Sequence, residues 1–219
     1  MTSASAPPVT AKQLGGMVLA VLSFWLFSGT GGSLAGALLR EISGDVRSPS
    51  GTSLVNVAVP LTSAIAAVTV VWCGRRADRR GQIHVLQVGN LVGVLGSLLA
   101  AAAQSGVAVP LLLAGRALQG LSAGFVLPAT LGLIRSTFDG ASRQRPVSLW
   151  SLGAWGGGGF AFLVGAAVAD GVVPGVGWRA VFLASALVSL SALLLLRGAV
   201  DIPGRRRRPR RPARPKPLP

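Results

Sequence analysis

The fold class follows from the stretch Gly74-Arg75-Arg76-Ala77-Asp78-Arg79-Arg80-Gly81, which places five charged side chains between two long apolar runs. Charge inside an apolar chain is costly unless it lies in water or serves a function. Gly81 suits a turn that needs a positive φ, and Asp78 precedes the next apolar run, where a carboxylate stabilises a helix N-terminus. The stretch therefore predicts a tight polar loop between two membrane spans.

Six apolar segments are long enough to cross a bilayer, which takes roughly 17–25 mostly apolar residues in a helix. Hydrophobic residues make up 51% of the chain and charged residues only 12%, whereas soluble domains carry about 25% charged residues. None of the segments alternates polar with apolar residues, which disfavours strands. We predict an all-α membrane protein with the spans Leu14–Leu39, Leu54–Cys73, Ile83–Ala103, Val107–Ile134, Val147–Ala169 and Trp178–Leu196.

The distribution of basic residues predicts the orientation of these spans. With a cytoplasmic N-terminus, most of the 21 Lys and Arg residues fall on the cytoplasmic side, and the outer side keeps only Arg40, Arg47 and Arg179. Cytoplasmic loops carry such an excess of positive charge. We therefore expect a multi-pass protein of the plasma (inner) membrane with both termini in the cytoplasm.

The same bias explains most of the net charge of +15, so nucleic acid is not an expected partner. We expect a disordered lead over 1–13, a six-helix body over 14–202 and a disordered Arg/Pro-rich tail over 203–219. Clustered arginines beside a membrane helix attract anionic lipids, which is one interpretation of the tail. Nucleic-acid binding, which lacks aromatic support, and an out-of-frame or truncated end are the others.

The pattern Gly-x-x-Ala-Asp-Arg-x-Gly resembles the signature loop between the second and third helices of the major facilitator superfamily of transporters. That resemblance implies half of the family fold, built as two inverted three-helix repeats. It also implies a cytoplasmic gate latch carried by Gly74, Asp78, Arg79 and Gly81. An ordinary positive-inside turn would explain the arginines but not the spacing of glycine and aspartate. Two residues depart from the family pattern, since Arg76 replaces an apolar residue and Gln82 replaces a base.

Arg116 is the only charge well inside an apolar run, so it should face the bundle interior or a wet cavity. Its surroundings resemble the family's fourth-helix motif, which implies a transport-coupling role for Arg116, Gln119 and Gly120. The alternative is that Arg116 snorkels to water from the outer end of its span. Small-residue pairs such as Gly89/Gly93 and Gly120/Gly124 predict close helix packing.

The fifth span resembles a degraded antiporter motif. Alanine and phenylalanine stand where that motif has glycine and proline, so the proline kink is not expected. The helix-packing residues implied there are Gly157, Ala161, Phe162 and Gly165. If a transport cavity forms, the resemblance places part of its lining on the first helix, at Phe24, Trp25 and Phe27.

The arrangement looks most similar to the fourteen-helix drug:proton antiporters, which implies efflux of multidrug or lipophilic small molecules. No Asp or Glu lies inside a predicted span, so proton coupling by this chain alone is unsupported. The family has at least twelve helices, and we expect a lone half not to transport unless a homodimer or second half completes the cavity. The alternative is a non-transporting scaffold or regulator. No catalytic residue, metal site or cofactor is predicted, because the chain has one Cys and one His.

Overall fold

The computed structural model describes residues 14–21, 51–103, 108–138, 140–153, 163 and 179–197. This part of the chain contains no strand. A 3-10 turn over Gly140–Arg143 precedes the fifth helix. The helical segments, numbered in chain order, are α1 (14–21), α2 (Gly51–Arg80), α3 (Gln82–Ala101), α4 (Ala108–Thr137), α5 (144–153) and α6 (Arg179–Leu195).

Three predicted spans coincide closely with α3, α4 and α6. Two stretches, Gln82–Ala101 and Val109–Ser136, are long and apolar enough to cross a membrane, whereas α6 is a shorter apolar helix of 17 residues. The first and fifth predicted spans run well beyond the described segments 14–21 and 144–153. The count of six membrane spans therefore stays a prediction.

The prediction of a loop over residues 74–81 is wrong. Helix α2 continues through the charged stretch to Arg80, and Gly81 alone separates it from α3. Arginine is a good helix former, and Arg79 and Arg80 in the last turn interact favourably with the negative end of the helix dipole. The positive φ expected at Gly81 is confirmed, since its φ is 100°.

Helix α4 is the centre of the bundle. It packs against α2 on one side and α3 on the other, and α6 packs on α3. At the α3–α4 crossing, a Cβ atom added to Gly115 would lie 2.7 Å from the carbonyl oxygen of Gly96. One added to Gly120 would lie 2.5 Å from the carbonyl oxygen of Thr62 on α2. The close packing predicted at Gly120 is thus confirmed against α2, and Gly115, which was not predicted, packs as closely against α3, because only glycine lets the backbones approach this far.

Three apolar clusters lie among the described residues, of which the smallest is Ala66 and Ala123 with Leu127. The largest lies where α2 ends and α3 begins, which we call the charged end, and it includes Met17, Cys73, Leu86, Ile134 and Leu196. The second lies towards the opposite end and includes Ala58, Ala100, Leu112, Val181 and Phe182. Helices α3 and α6 also expose leucines on their outer faces, which suits contact with lipid rather than water: Leu91, Leu95, Leu98, Leu183, Leu187, Leu190 and Leu194.

Candidate functional site

Arg116 lies inside the bundle, with 2% of its surface exposed. Its Nε donates a hydrogen bond to the carbonyl oxygen of Ala58 on α2 at 3.1 Å. Its Nη1 donates to the Oε1 of Gln119, one turn further along α4, at 3.2 Å. These bonds hold the guanidinium between α2 and α4 and exclude the alternative in which Arg116 snorkels to the surface.

Gln119 connects Arg116 to two further helices. The Gln119 side chain is fully buried, and its Nε2 donates to the Oγ of Ser97 on α3 at 3.0 Å. The Ser97 hydroxyl in turn lies 3.4 Å from the Oγ of Ser185 on α6. Four helices are therefore linked by one chain of hydrogen-bonded groups, which reaches α2 through the Ala58 backbone carbonyl and α3, α4 and α6 through polar side chains. Each added bond makes moving one helix more costly for the others.

The three predicted coupling residues occupy one region of α4 but face different neighbours. Arg116 and Gly120 both approach α2, where the Thr62 hydroxyl donates to the carbonyl oxygen of Arg116 at 3.2 Å. Gln119 turns towards α3. The structure therefore brings the three residues together at the junction of α2, α3 and α4.

This arrangement holds a cation deep in the bundle. The named acceptors, the Ala58 carbonyl and the Gln119 amide, are both uncharged. A guanidinium in such surroundings is costly to bury, which is why charged residues inside membrane helices commonly mark a functional site.

The four residues predicted for a gate latch lie at the charged end. Gly74 is half-buried against Pro128 of α4, and Asp78 and Arg79 are exposed on the last turns of α2. Asp78 is thus a helical residue near a C-terminus, where its charge is unfavourable to its own helix. Beyond Gly81, the Oε1 of Gln82 accepts a hydrogen bond from Ser136 Oγ at 3.1 Å, which ties the start of α3 to the end of α4.

The charged end also carries a cavity of about 410 Å³ lined by Trp72, Arg75, Arg76, Arg79 and Arg80. The guanidinium carbon of Arg76 lies 5.3 Å from the centre of the Trp72 ring, in cation–π contact. The sequence interpretation assigned no role to Trp72. The i, i+4 spacing of Trp72 and Arg76 is the signal that could have indicated their contact.

The other predicted site residues lie outside the described residues. They are the helix-packing residues Gly157, Ala161, Phe162 and Gly165, and the cavity-lining residues Phe24, Trp25 and Phe27. The basic tail over 203–219 also lies outside them.

Four partners of the Arg116 network were missed by the sequence interpretation: Ala58, Thr62, Ser97 and Ser185. Polar residues inside apolar spans are a usable signal for Thr62, Ser97 and Ser185, since buried polar groups need partners. The role of Ala58 has no such signal, because it contributes its backbone carbonyl.

The chain belongs to the Major Facilitator Superfamily, whose family model matches residues 11–219. The resemblance carried by the charged stretch and the fourth-helix motif is thereby confirmed. Members of this family are multi-pass transporters of the plasma membrane and not enzymes.

Among curated relatives, the quinolone resistance protein NorB of Staphylococcus aureus strain JH9 is 40% identical over 191 residues, and the match covers 87% of this chain and 38% of NorB. NorB of strain Newman matches to the same extent. The inward open structure of the xylose transporter XylE from E. coli superposes with a TM-score of 0.65 at 19% identity, covering 88% of this chain and 47% of XylE. That likeness shows the fold, and the chain spans less than half the length of each relative.

Proposed function

We propose that this chain is part of an efflux transporter that moves lipophilic, multidrug-type small molecules across the plasma membrane. The observation that carries the proposal is the buried Arg116, hydrogen-bonded to α2 and connected through Gln119 to Ser97 on α3 and from there to Ser185 on α6. A fixed cation that links four helices is suited to sensing a change in their relative positions. The similarity to NorB supports a substrate class that includes quinolones.

Transport requires more than this chain supplies. In the family, two halves rock about a site at their interface. We infer that this chain contributes one wall of that cavity, with Arg116 and Gln119 on α4 and with Phe24, Trp25 and Phe27 on the first helix. A second half or a second copy of this chain would contribute the other wall. The lone 219-residue monomer is therefore expected not to transport.

The proposed orientation places the charged end and both termini in the cytoplasm, following the positive-inside bias. In this orientation Asp78 and Arg79 stand at the cytoplasmic mouth, where they would latch the gate against the second half. The Arg/Pro-rich tail over 203–219 would lie along the same membrane surface and contact anionic lipids.

The test is efflux of a lipophilic dye and of a fluorescent quinolone from sealed vesicles. The chain is reconstituted alone and together with the second half of NorB as a separate polypeptide. We expect transport only from the pair, and we expect Arg116→Ala to abolish it while leaving the protein in the membrane. The matched control is Arg135→Ala, which removes an exposed arginine from the same helix.

Three outcomes would contradict parts of the proposal. Efflux by the purified monomer would show that one half suffices. Unchanged efflux in the Arg116→Ala pair would remove Arg116 from coupling. Association with a full-length transporter whose rate then changes, without efflux by any pair, would favour a regulator or scaffold instead.

A further inference from the structure

The cavity at the charged end is a cationic surface that shares only Arg79 with the proposed gate latch, and the proposed efflux function does not use its other residues. We call it the Trp–Arg pocket, defined by Trp72, Arg75, Arg76, Arg79 and Arg80. All five residues belong to the last turns of α2. At 100° per residue they fall within an arc of about 140° on one face of the helix, and Asp78 falls outside that arc. Four arginines therefore line one cavity, and Asp78 is not among its lining residues.

The contact between Arg76 and Trp72 gives the pocket a defined shape. The Arg76 guanidinium packs over the indole ring with 5.3 Å from its carbon to the ring centre. Stacking of this kind orients the guanidinium but leaves its charge and its N–H donors available. Arg76 is also the residue that departs from the apolar residue of the family pattern, so the pocket depends on a feature of this chain.

The same face of α2 changes from apolar to cationic along its length. Val68 is 80% exposed and Trp72 is 56% exposed, and Arg75 follows within one turn. From Val68 to Arg75 the helix rises about 10 Å. Exposed tryptophan is typical of the membrane–water interface, with apolar side chains on the hydrocarbon side and basic ones on the headgroup side. The order of these surfaces along α2, from apolar through aromatic to cationic, matches the order of groups in a phospholipid from its acyl chain to its phosphate.

We propose that the Trp–Arg pocket binds an anionic phospholipid, with the headgroup phosphate held by Arg75, Arg76 and Arg79 and the acyl chain lying against Trp72 and Val68. Guanidinium groups bind phosphate oxygens through paired, charge-assisted hydrogen bonds. A free phosphate offers the same charge but cannot bury the exposed apolar surface of Val68 and Trp72. A lipid is therefore the occupant that contacts both the apolar and the cationic parts of this face of α2. This inference does not rest on the efflux proposal.

The experiment is native mass spectrometry of the detergent-purified 219-residue chain titrated with phosphatidylglycerol. The pocket variants are Arg76→Gln alone and the triple variant Arg75→Gln, Arg76→Gln, Arg79→Gln. The matched control makes the same three changes in the tail, at Arg205, Arg206 and Arg207. Since a basic residue near an anionic surface contributes about 1 kcal/mol, we expect about fivefold weaker binding for the single variant and about a hundredfold for the triple. The tail control should retain binding at the tightest site.

Competition with glycerol 3-phosphate and with phosphatidylcholine tests whether the pocket recognises a soluble phosphate or an anionic lipid. We expect neither to displace phosphatidylglycerol at matched concentrations, because one lacks acyl chains and the other lacks net charge. Equal competition by glycerol 3-phosphate would mean a site for soluble anions and would overturn the lipid assignment. Unchanged lipid binding in the triple variant, or an equal loss in the tail control, would overturn the pocket itself. If the triple variant fails to fold, as judged by its melting temperature, Arg76→Gln alone decides.

Discussion

The Nε of Arg116 lies 3.1 Å from the carbonyl oxygen of Ala58, so a side chain of the central helix is fixed to the backbone of its neighbour α2. The same guanidinium reaches Gln119 on α4, and Gln119 reaches Ser97 on α3. Two helices that flank α4 are therefore joined through one cation. A movement of α2 relative to α3 must break or rebuild this connection.

Replacing Arg116 with lysine tests the value of the guanidinium geometry. Lysine keeps the charge, but its single ammonium cannot reproduce the two directed bonds to Ala58 and Gln119. A buried acceptor left without a donor costs about 1–3 kcal/mol, so the melting temperature in detergent should fall. Arg135→Lys on the same helix is the control, because Arg135 is exposed. Equal melting temperatures for the two variants would mean that the hydrogen bonds contribute little.

Gly115→Ala and Gly132→Ala compare two glycines of α4. The new methyl group at Gly115 would lie 2.7 Å from the backbone nitrogen of Ala100. Backbone atoms in a packed helix cannot move away without shifting the helix. At Gly132 it would meet the Nε2 end of the flexible Gln82 side chain, also at 2.7 Å. Overpacking at Gly115 should cost about 1–3 kcal/mol, whereas Gly132→Ala should be nearly neutral. Thermal unfolding of both variants checks this, and the reverse order would contradict the packing of α3 on α4.

Gly81→Ala tests the break between α2 and α3. The φ of 100° and ψ of 140° at Gly81 lie in a region that side-chain-bearing residues rarely enter. The substitution should lower the free energy of unfolding by about 1–3 kcal/mol. Gly15→Ala is the control in α1, where the nearest side-chain atom is 3.8 Å away. Alanine there should be neutral or stabilising by up to about 1 kcal/mol, so equal losses at both sites would argue against strain at Gly81.

Cys73 should resist thiol reagents in the folded protein. Its side chain is fully buried in the cluster at the charged end, which makes it unsuitable for cross-linking between chains. In a Cys73→Ser background, Ala141→Cys places a thiol on the exposed 3-10 turn and should react readily with a maleimide. Mass spectrometry measures the extent of labelling at Cys73 in the native chain and at position 141 in the variant. Rapid labelling of native Cys73 would show that the cluster opens.

The fold was predictable in the long apolar segments of the chain. The bounds of α3, α4 and α6 follow closely from hydropathy, because a lipid-facing helix must satisfy every backbone group internally. The charged stretch was misjudged because charge indicates contact with water but does not distinguish a loop from a helix that projects beyond the bilayer. Arginine sustains such a helix, and only Gly81 interrupts it.

The sequence predicted the residues of the site on α4, but it did not predict the residues of other helices that contact them. A lone arginine in an apolar run predicts a buried polar site, and Arg116 and Gln119 are one turn apart on the same helix. That Ser97 and Ser185 join them depends on how α3 and α6 pack, over 22 and 88 residues of separation. Periodicity within one helix carries no such information.

By itself the sequence determined the membrane class, the family and the presence of one arginine inside an apolar run, because each depends on local composition and short motifs. Only the tertiary structure decided which surfaces meet. It placed Gly115 against Gly96 and Gly120 against Thr62, and it set the Arg116 guanidinium beside the Ala58 carbonyl. The physical reason is that helix packing in lipid depends on close steric fit between distant segments, and such fit exists only once the helices are assembled.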